Sequence, residues 1–128
     1  MLNSFLKMIS GGTKSDRDIK NITPLVEKAK VEFAKLQSLD NDGLRAMTTM
    51  FRQKIADNVQ AERDEIDSIK ARIETDFDID IKKKEELYKR IDFLDKEEYR
   101  KTQDTLMEIL PAAFAVVKET ARRFSENE

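Results

Sequence analysis

Residues 59–104 read VQAERDEIDSIKARIETDFDIDIKKKEELYKRIDFLDKEEYRKTQD, and this stretch decides the fold. Of its 46 residues 26 are charged, and it contains neither Gly nor Pro. A charge density of that order suits disorder unless the apolar residues are ordered in the sequence. Here they are: Val59, Ile66, Ile69 and Ile73 fall on one helical face, and Leu87, Ile91 and Leu94 repeat the spacing further on. Between them Asp76-Phe77-Asp78-Ile79-Asp80-Ile81 alternates in a strand-like way and is read as the place where the chain turns round. Each arm offers one narrow apolar stripe, enough for a single partner helix and too little for a core. The expectation is an all-α protein, a helical bundle with a projecting antiparallel helical hairpin.

The rest of the composition agrees. The chain has 128 residues, 39% charged and 39% hydrophobic, with only three Gly, two Pro and 7% aromatics. Turn-forming residues are too few for an all-β fold. With no Cys and no His, zinc fingers, iron–sulfur clusters, disulfides, thiol catalysis and Ser-His-Asp triads are all excluded. A net charge of −2 argues against a nucleic-acid binder. The longest apolar run, Ala112–Val117, is far short of the roughly 20 residues of a membrane helix. Met1–Ile9 is too short in its apolar part for a secretory signal, so a cytoplasmic location is expected.

Charge and punctuation divide the chain into four. Residues 1–12 form an amphipathic N-terminal segment, with Leu2, Phe5, Leu6 and Ile9 on one helical stripe and Ser10-Gly11-Gly12-Thr13 as a joint. Residues 13–58 are a helical lead-in. A helix starts near Ser15 or Asp16 and restarts at Thr23-Pro24 with Thr23 as cap. Its stripe is Leu25, Val26, Ala29, Phe33, Leu36 and Leu39. Asp40 caps the next helix, whose stripe is Leu44, Met47, Phe51 and Ile55. Residues 59–104 are the charged hairpin. Asp95 and Glu98 are spaced as a capping box, starting a helix that uses Tyr99, Leu106, Ile109 and Leu110. Within residues 105–128, Pro111 opens a last helix with Phe114, Val117, Ala121 and Phe124 facing inward. That face carries more apolar surface than a surface helix needs, and the chain by itself is expected to self-associate or rearrange there.

Chemistry is sparse. Asp76, Asp78 and Asp80 are spaced like the start of a calcium loop, but Ile81 and Leu87 stand where that loop needs Gly and Glu. A solvated, capping turn is the better reading. Lys82-Lys83-Lys84 is flanked by Glu85 and Glu86 and reads as a solvated helix face. Gly11-Gly12-Thr13-Lys14 lacks the spacing and the leading strand of a phosphate loop. No carboxylate lies in the apolar setting that an acid or base catalyst requires. The residues therefore offer no catalytic, cofactor or metal site. The N-terminal segment reads equally as a helix packed on the body of the protein and as a membrane-surface or partner contact, with Leu2, Phe5, Leu6 and Ile9 entering the interface and Lys7 meeting anionic head groups.

Two blocks carry a resemblance. The first runs from Met1 to Ile55 and includes Leu39-Asp40-Asn41-Asp42-Gly43-Leu44-Arg45, then Thr48 and Phe51-Arg52. The second is Leu110-Pro111-Ala112-Ala113-Phe114-Ala115-Val116-Val117-Lys118-Glu119-Thr120-Ala121-Arg122-Arg123. Both resemble the amino-terminal region of the SecA family, which writes the first as Leu-Ser-Asp-Glu-Glu-Leu-Arg and the second as Leu-Pro-Glu-Ala-Phe-Ala-Val-Val-Arg-Glu-Ala-Ala-Arg-Arg. Gly43, Met47 and Met50 replace polar family residues, and Ala112, Lys118 and Thr120 are milder departures. Between the blocks, where the family usually has a short connection, about 45 residues are inserted, which suggests a lineage-specific variant.

The resemblance implies an ATP-driven motor for protein export that uses ATP and magnesium. Its partners would be preprotein, the SecYEG channel and acidic phospholipid, with no nucleic acid. The location implied is cytoplasmic, with peripheral association at the inner membrane. The family's adenine-binding motif and Walker A loop lie beyond Arg122-Arg123, so this chain is expected to be a helical interaction segment cut before the nucleotide site. The alternative reading is a free-standing helical-bundle or coiled-coil module that binds a protein partner.

Overall fold

The computed structural model describes residues 13–126, and among these there are three α-helices and no strands. Helix α1 spans Lys14–Leu36, α2 spans Asn41–Thr75 and α3 spans Ile81–Glu126. The all-α expectation holds. The stretch 1–12, with its amphipathic stripe, lies outside the described residues.

Helix α1 has its cap two to three residues before Ser15 or Asp16, the expected positions. Thr13 is the cap: the Asp16 amide donates to Thr13 Oγ1 at 3.3 Å, and the Thr13 amide donates to Asp16 Oδ2 at 2.9 Å. Asp16 therefore belongs to the first turn and is not itself the cap. Helix α2 begins where Asp40 predicts, since the Gly43 amide donates to Asp40 Oδ1 at 2.7 Å. A Cβ at Gly43 would stand 3.1 Å from that carboxylate oxygen, so glycine leaves the cap room to close.

Three expected helix starts are absent. Thr23 does not restart a helix; its hydroxyl donates to the Ile19 carbonyl at 2.7 Å and Pro24 sits inside α1. Asp95 and Glu98 lie within α3, and Glu98 is used across the hairpin instead. Pro111 also lies inside α3. An internal proline costs about 3 kcal/mol and frees the carbonyl four residues back. Both prolines free a carbonyl in an exposed stretch, at Lys20 and Met107, where water can take it. Around Pro111 the buried residues Thr105, Ile109, Ala115 and Glu119 continue on either side, and helix propagation bridges the defect.

The chain divides into two units, residues 1–45 with 110–128, and residues 46–109. In the second, the arms of α2 and α3 run antiparallel around a turn at 76–80. Ile66, Ile69, Ile91 and Leu94 form its core, with Ile73 and Leu87 packed against them. All six are among the seven residues, Val59 included, that the spacing picks out. The turn is closed locally, with the Asp78 amide donating to Asp76 Oδ1 at 3.3 Å, and Phe77 is 93% exposed. Tyr99 and Leu106, expected to face inward, are exposed, and Lys101, Thr105 and Ile109 hold the inward positions.

Burying an aspartate at the seam removes an apolar side chain and strands a charge, so Ile69→Asp should cost about 3 kcal/mol or more. Hydrogen exchange should show lost protection centred on residues 62–73 and 87–98. Ile81→Asp, at a position 76% exposed, should change stability by less than about 0.5 kcal/mol.

Candidate functional site

Polar side chains are concentrated at the base of the hairpin, at places where apolar ones are expected. Along α2 the inward positions run Ile55, Val59, Glu62, Ile66, Ile69 and Ile73, and along α3 they run Leu87, Ile91, Leu94, Glu98, Lys101, Thr105 and Ile109. Glu62 and Lys101 pair at 2.5 Å, with their side chains only 13% and 31% exposed. Asn58 Nδ2 donates to Thr105 Oγ1 at 2.7 Å, and Thr105 donates to the Lys101 carbonyl at 2.9 Å. The hydrogen bond from Lys101 holds the Glu62 carboxyl below its usual range. Its second oxygen is buried with no partner among the described residues. Further ties flank this layer, Lys54–Glu108 at 2.8 Å, Arg63–Glu98 at 2.7 Å and Arg90–Glu65 at 2.7 Å.

Beside the layer lies an open groove lined by Met50, Gln53, Lys54, Asp57, Asn58, Thr105 and Glu108. Lys54 and Glu108 neutralise each other and Gln53 donates to Asp57 at 2.6 Å. The groove therefore directs little free charge at a ligand.

The other unit is organised by one carboxylate. Glu119 is fully buried, and Arg122 and Arg123 both reach it, at 2.8 Å from Nη2 and Nε respectively. Arg123 then spends its remaining donors on the α1–α2 connection, giving 2.6 Å to the Leu39 carbonyl and 2.8 Å to Asn41 Oδ1. It thus supplies, from the end of α3, the cation that the C-terminal carbonyls of α1 favour. The hydrogen bonds from Arg122 and then Arg123 hold the Glu119 carboxyl down to about 2. A carboxylate so saturated exchanges no proton near neutrality; its role is architectural. Lys118 adds a cation–π contact, 4.5 Å from the ring centre of Phe33.

This arrangement corrects the expected register of the last helix. Pro111, Ala115 and Glu119 are its buried line, while Phe114, Val117 and Phe124 are 62%, 66% and 74% exposed. The buried acid and its two arginines turn that face inward, and the larger apolar residues are left in solvent. The sequence signal was present in the spacing of Glu119, Arg122 and Arg123 at i, i+3 and i+4. The residues singled out for contact, Leu2, Phe5, Leu6, Lys7 and Ile9, lie outside the described residues. Among the described residues no group of three or more acidic side chains converges as a metal would require, and no helix is long and apolar enough to cross a membrane.

Comparison with known proteins gives a consistent picture. The model of the SecA DEAD-like domain matches residues 5–128. The protein translocase subunit SecA of Porphyromonas gingivalis is 44% identical over 126 residues, covering 98% of this chain and 11% of the relative. Those of Bacteroides fragilis and Flavobacterium psychrophilum are 42% and 43% identical over 98% of this chain and 11% of theirs. The chain thus spans about a tenth of the length of these relatives, and the similarity runs through the hairpin. No solved structure matches it.

Because Arg123 ties two helix ends and a connection, Arg123→Gln should destabilise the protein by about 2 kcal/mol. Exchange protection around residues 36–44 should fall most. Glu119 has a folded pKa below its ordinary value of 4.5, so its contribution is complete above about pH 4.5 and is lost as pH falls toward 2. Thermal melts across that window should therefore show a falling Tm, and Glu119→Gln should flatten the fall.

Proposed function

Since the chain belongs to the SecA DEAD-like domain family, we propose that it works as a helical interaction segment of an ATP-driven protein translocase. The observation that carries this reading is 44% identity to a SecA translocase subunit across 98% of the chain. In this reading ATP and magnesium are held by other parts of the translocase, and these helices perform no chemistry. The preprotein, the SecYEG channel and acidic phospholipid are the partners of the whole machine, which sits in the cytoplasm and peripherally on the inner membrane.

Within the chain the roles divide by unit. Residues 1–12 make the membrane or channel contact, through Leu2, Phe5, Leu6 and Ile9 with Lys7 at the head groups. Residues 13–58 and 105–128 lead into the motor, and the exposed Phe114, Val117 and Phe124 face is available for self-association. The 59–104 hairpin is a lineage-specific addition.

Two measurements test this. Calorimetry on the 128-residue chain should give no saturable ATP binding at micromolar concentration. Flotation with vesicles rich in phosphatidylglycerol should recover the chain, and neutral phosphatidylcholine vesicles should recover much less. Phe5→Asp should abolish flotation and Lys7→Glu should weaken it. Equal recovery of wild type and Phe5→Asp would refute the membrane assignment.

A further inference from the structure

The two arms of the hairpin keep one count across the turn that separates them. From Ile73 the residues Phe77, Asp80, Lys84, Leu87, Ile91 and Leu94 follow at alternating steps of four and three. Ile66, Ile73, Asp80, Leu87 and Leu94 accordingly stand seven residues apart. A turn that only reverses the chain need not preserve a heptad frame, whereas a continuous helix must. We propose that the hairpin opens at residues 76–80 and exchanges arms with a second copy of this chain. In that state α2 and α3 merge into one helix, which lies antiparallel to its counterpart.

Further observations select a second copy as the partner. Four ties between the arms are centred on one residue. Lys54 and Glu108 stand equally far from Ile81, and Glu62 with Lys101, Asn58 with Thr105 and Arg63 with Glu98 do so to within one residue. Contacts placed in this way re-form between two antiparallel chains related by a two-fold axis at Ile81. By the same count Asp78 comes level with Lys84 of the second copy, and Asp80 with its Lys82. Within one chain none of these four side chains enters an ion pair among the described residues. Ile81, exposed in the hairpin, meets its own counterpart on the axis.

The turn itself is weakly specified. It contains no Gly or Pro, so no residue in it forbids a helix, and its internal closure is the 3.3 Å bond from the Asp78 amide to Asp76. Helix α3 also begins on Lys82-Lys83-Lys84 with no acid in its first turn, a sign opposed to the helix dipole. Merging the helices removes that end. Since the exchanged contacts are those of the hairpin, concentration favours the dimer and dilution the monomer. Passage between them requires the seam to open and is therefore slow. Association through the Phe114, Val117 and Phe124 face needs no such opening and reverses at once.

Methyl-labelled and unlabelled chains, unfolded together in equal amounts and refolded at about 1 mM, test this. In isotope-filtered spectra, contacts from Ile66 and Ile69 to Ile91 and Leu94 should appear between chains, in a dimer that dissociates slowly on dilution. Asp78→Gly with Ile79→Gly puts two poor helix formers in the merged segment. It should lower the dimer fraction at least fivefold and keep the contacts within the monomer. Seam contacts found only within chains at this concentration would overturn the exchange. So would a dimer lacking seam contacts between chains, which would leave the Phe114 face as the associating surface. A dimer with those contacts that the two glycines do not weaken would overturn the merged helix.

Discussion

The structure depends on a shortage. With 39% of its residues charged, the chain can give each helix only about one apolar side chain per turn over long stretches. A helix of that kind buries a single stripe, and a single stripe accommodates one partner. The physical solution is length: α2 and α3, at 35 and 46 residues, extend a narrow seam rather than thicken a core. The charges that cannot be buried line the sides of that seam and pair across it, as at Arg90–Glu65 and Arg63–Glu98. Such exposed pairs add little stability individually, and the isoleucines and leucines of the seam carry the energy.

A seam of repeating aliphatic residues is stable in more than one register, and the polar layer removes that ambiguity. Glu62 facing Lys101 and Asn58 facing Thr105 satisfy each other only when the arms are aligned as observed. A slip by one heptad would bury Lys101 against an aliphatic neighbour, at the cost of an unpaired charge. The layer is weaker than leucines would be, as the orphaned oxygen of Glu62 attests. Specificity of register is what it provides in exchange. Glu119 plays a comparable part in the other unit, where a fully buried carboxylate is tolerable because two guanidinium groups meet it.

The hairpin was legible because its information is local and periodic. Ile66, Ile69, Ile73, Leu87, Ile91 and Leu94 needed only a count of spacings to be placed. The same count failed for the last helix, where Phe114 and Val117 look more like core than Glu119 does. Burial of Glu119 depends on Arg123 reaching Leu39 and Asn41, more than 80 residues away, which no local pattern contains. Prolines 24 and 111 misled for a related reason. As punctuation they mark helix starts, but the packing on either side of Pro111 outweighs the lost hydrogen bond. The polar seam leaves no mark on an apolar stripe, because Glu62, Lys101 and Thr105 occupy inward positions with polar side chains. The contact segment rests on amphipathicity alone and lies outside the described residues.

The most direct test of a narrow seam locked by a polar layer is nuclear Overhauser contact between methyl groups. In the 128-residue chain with labelled Ile and Leu methyls, Ile66 and Ile69 should show contacts to Ile91 and Leu94 in one consistent set. A strongly helical spectrum lacking those contacts, or showing a second set displaced by a heptad, would contradict the account.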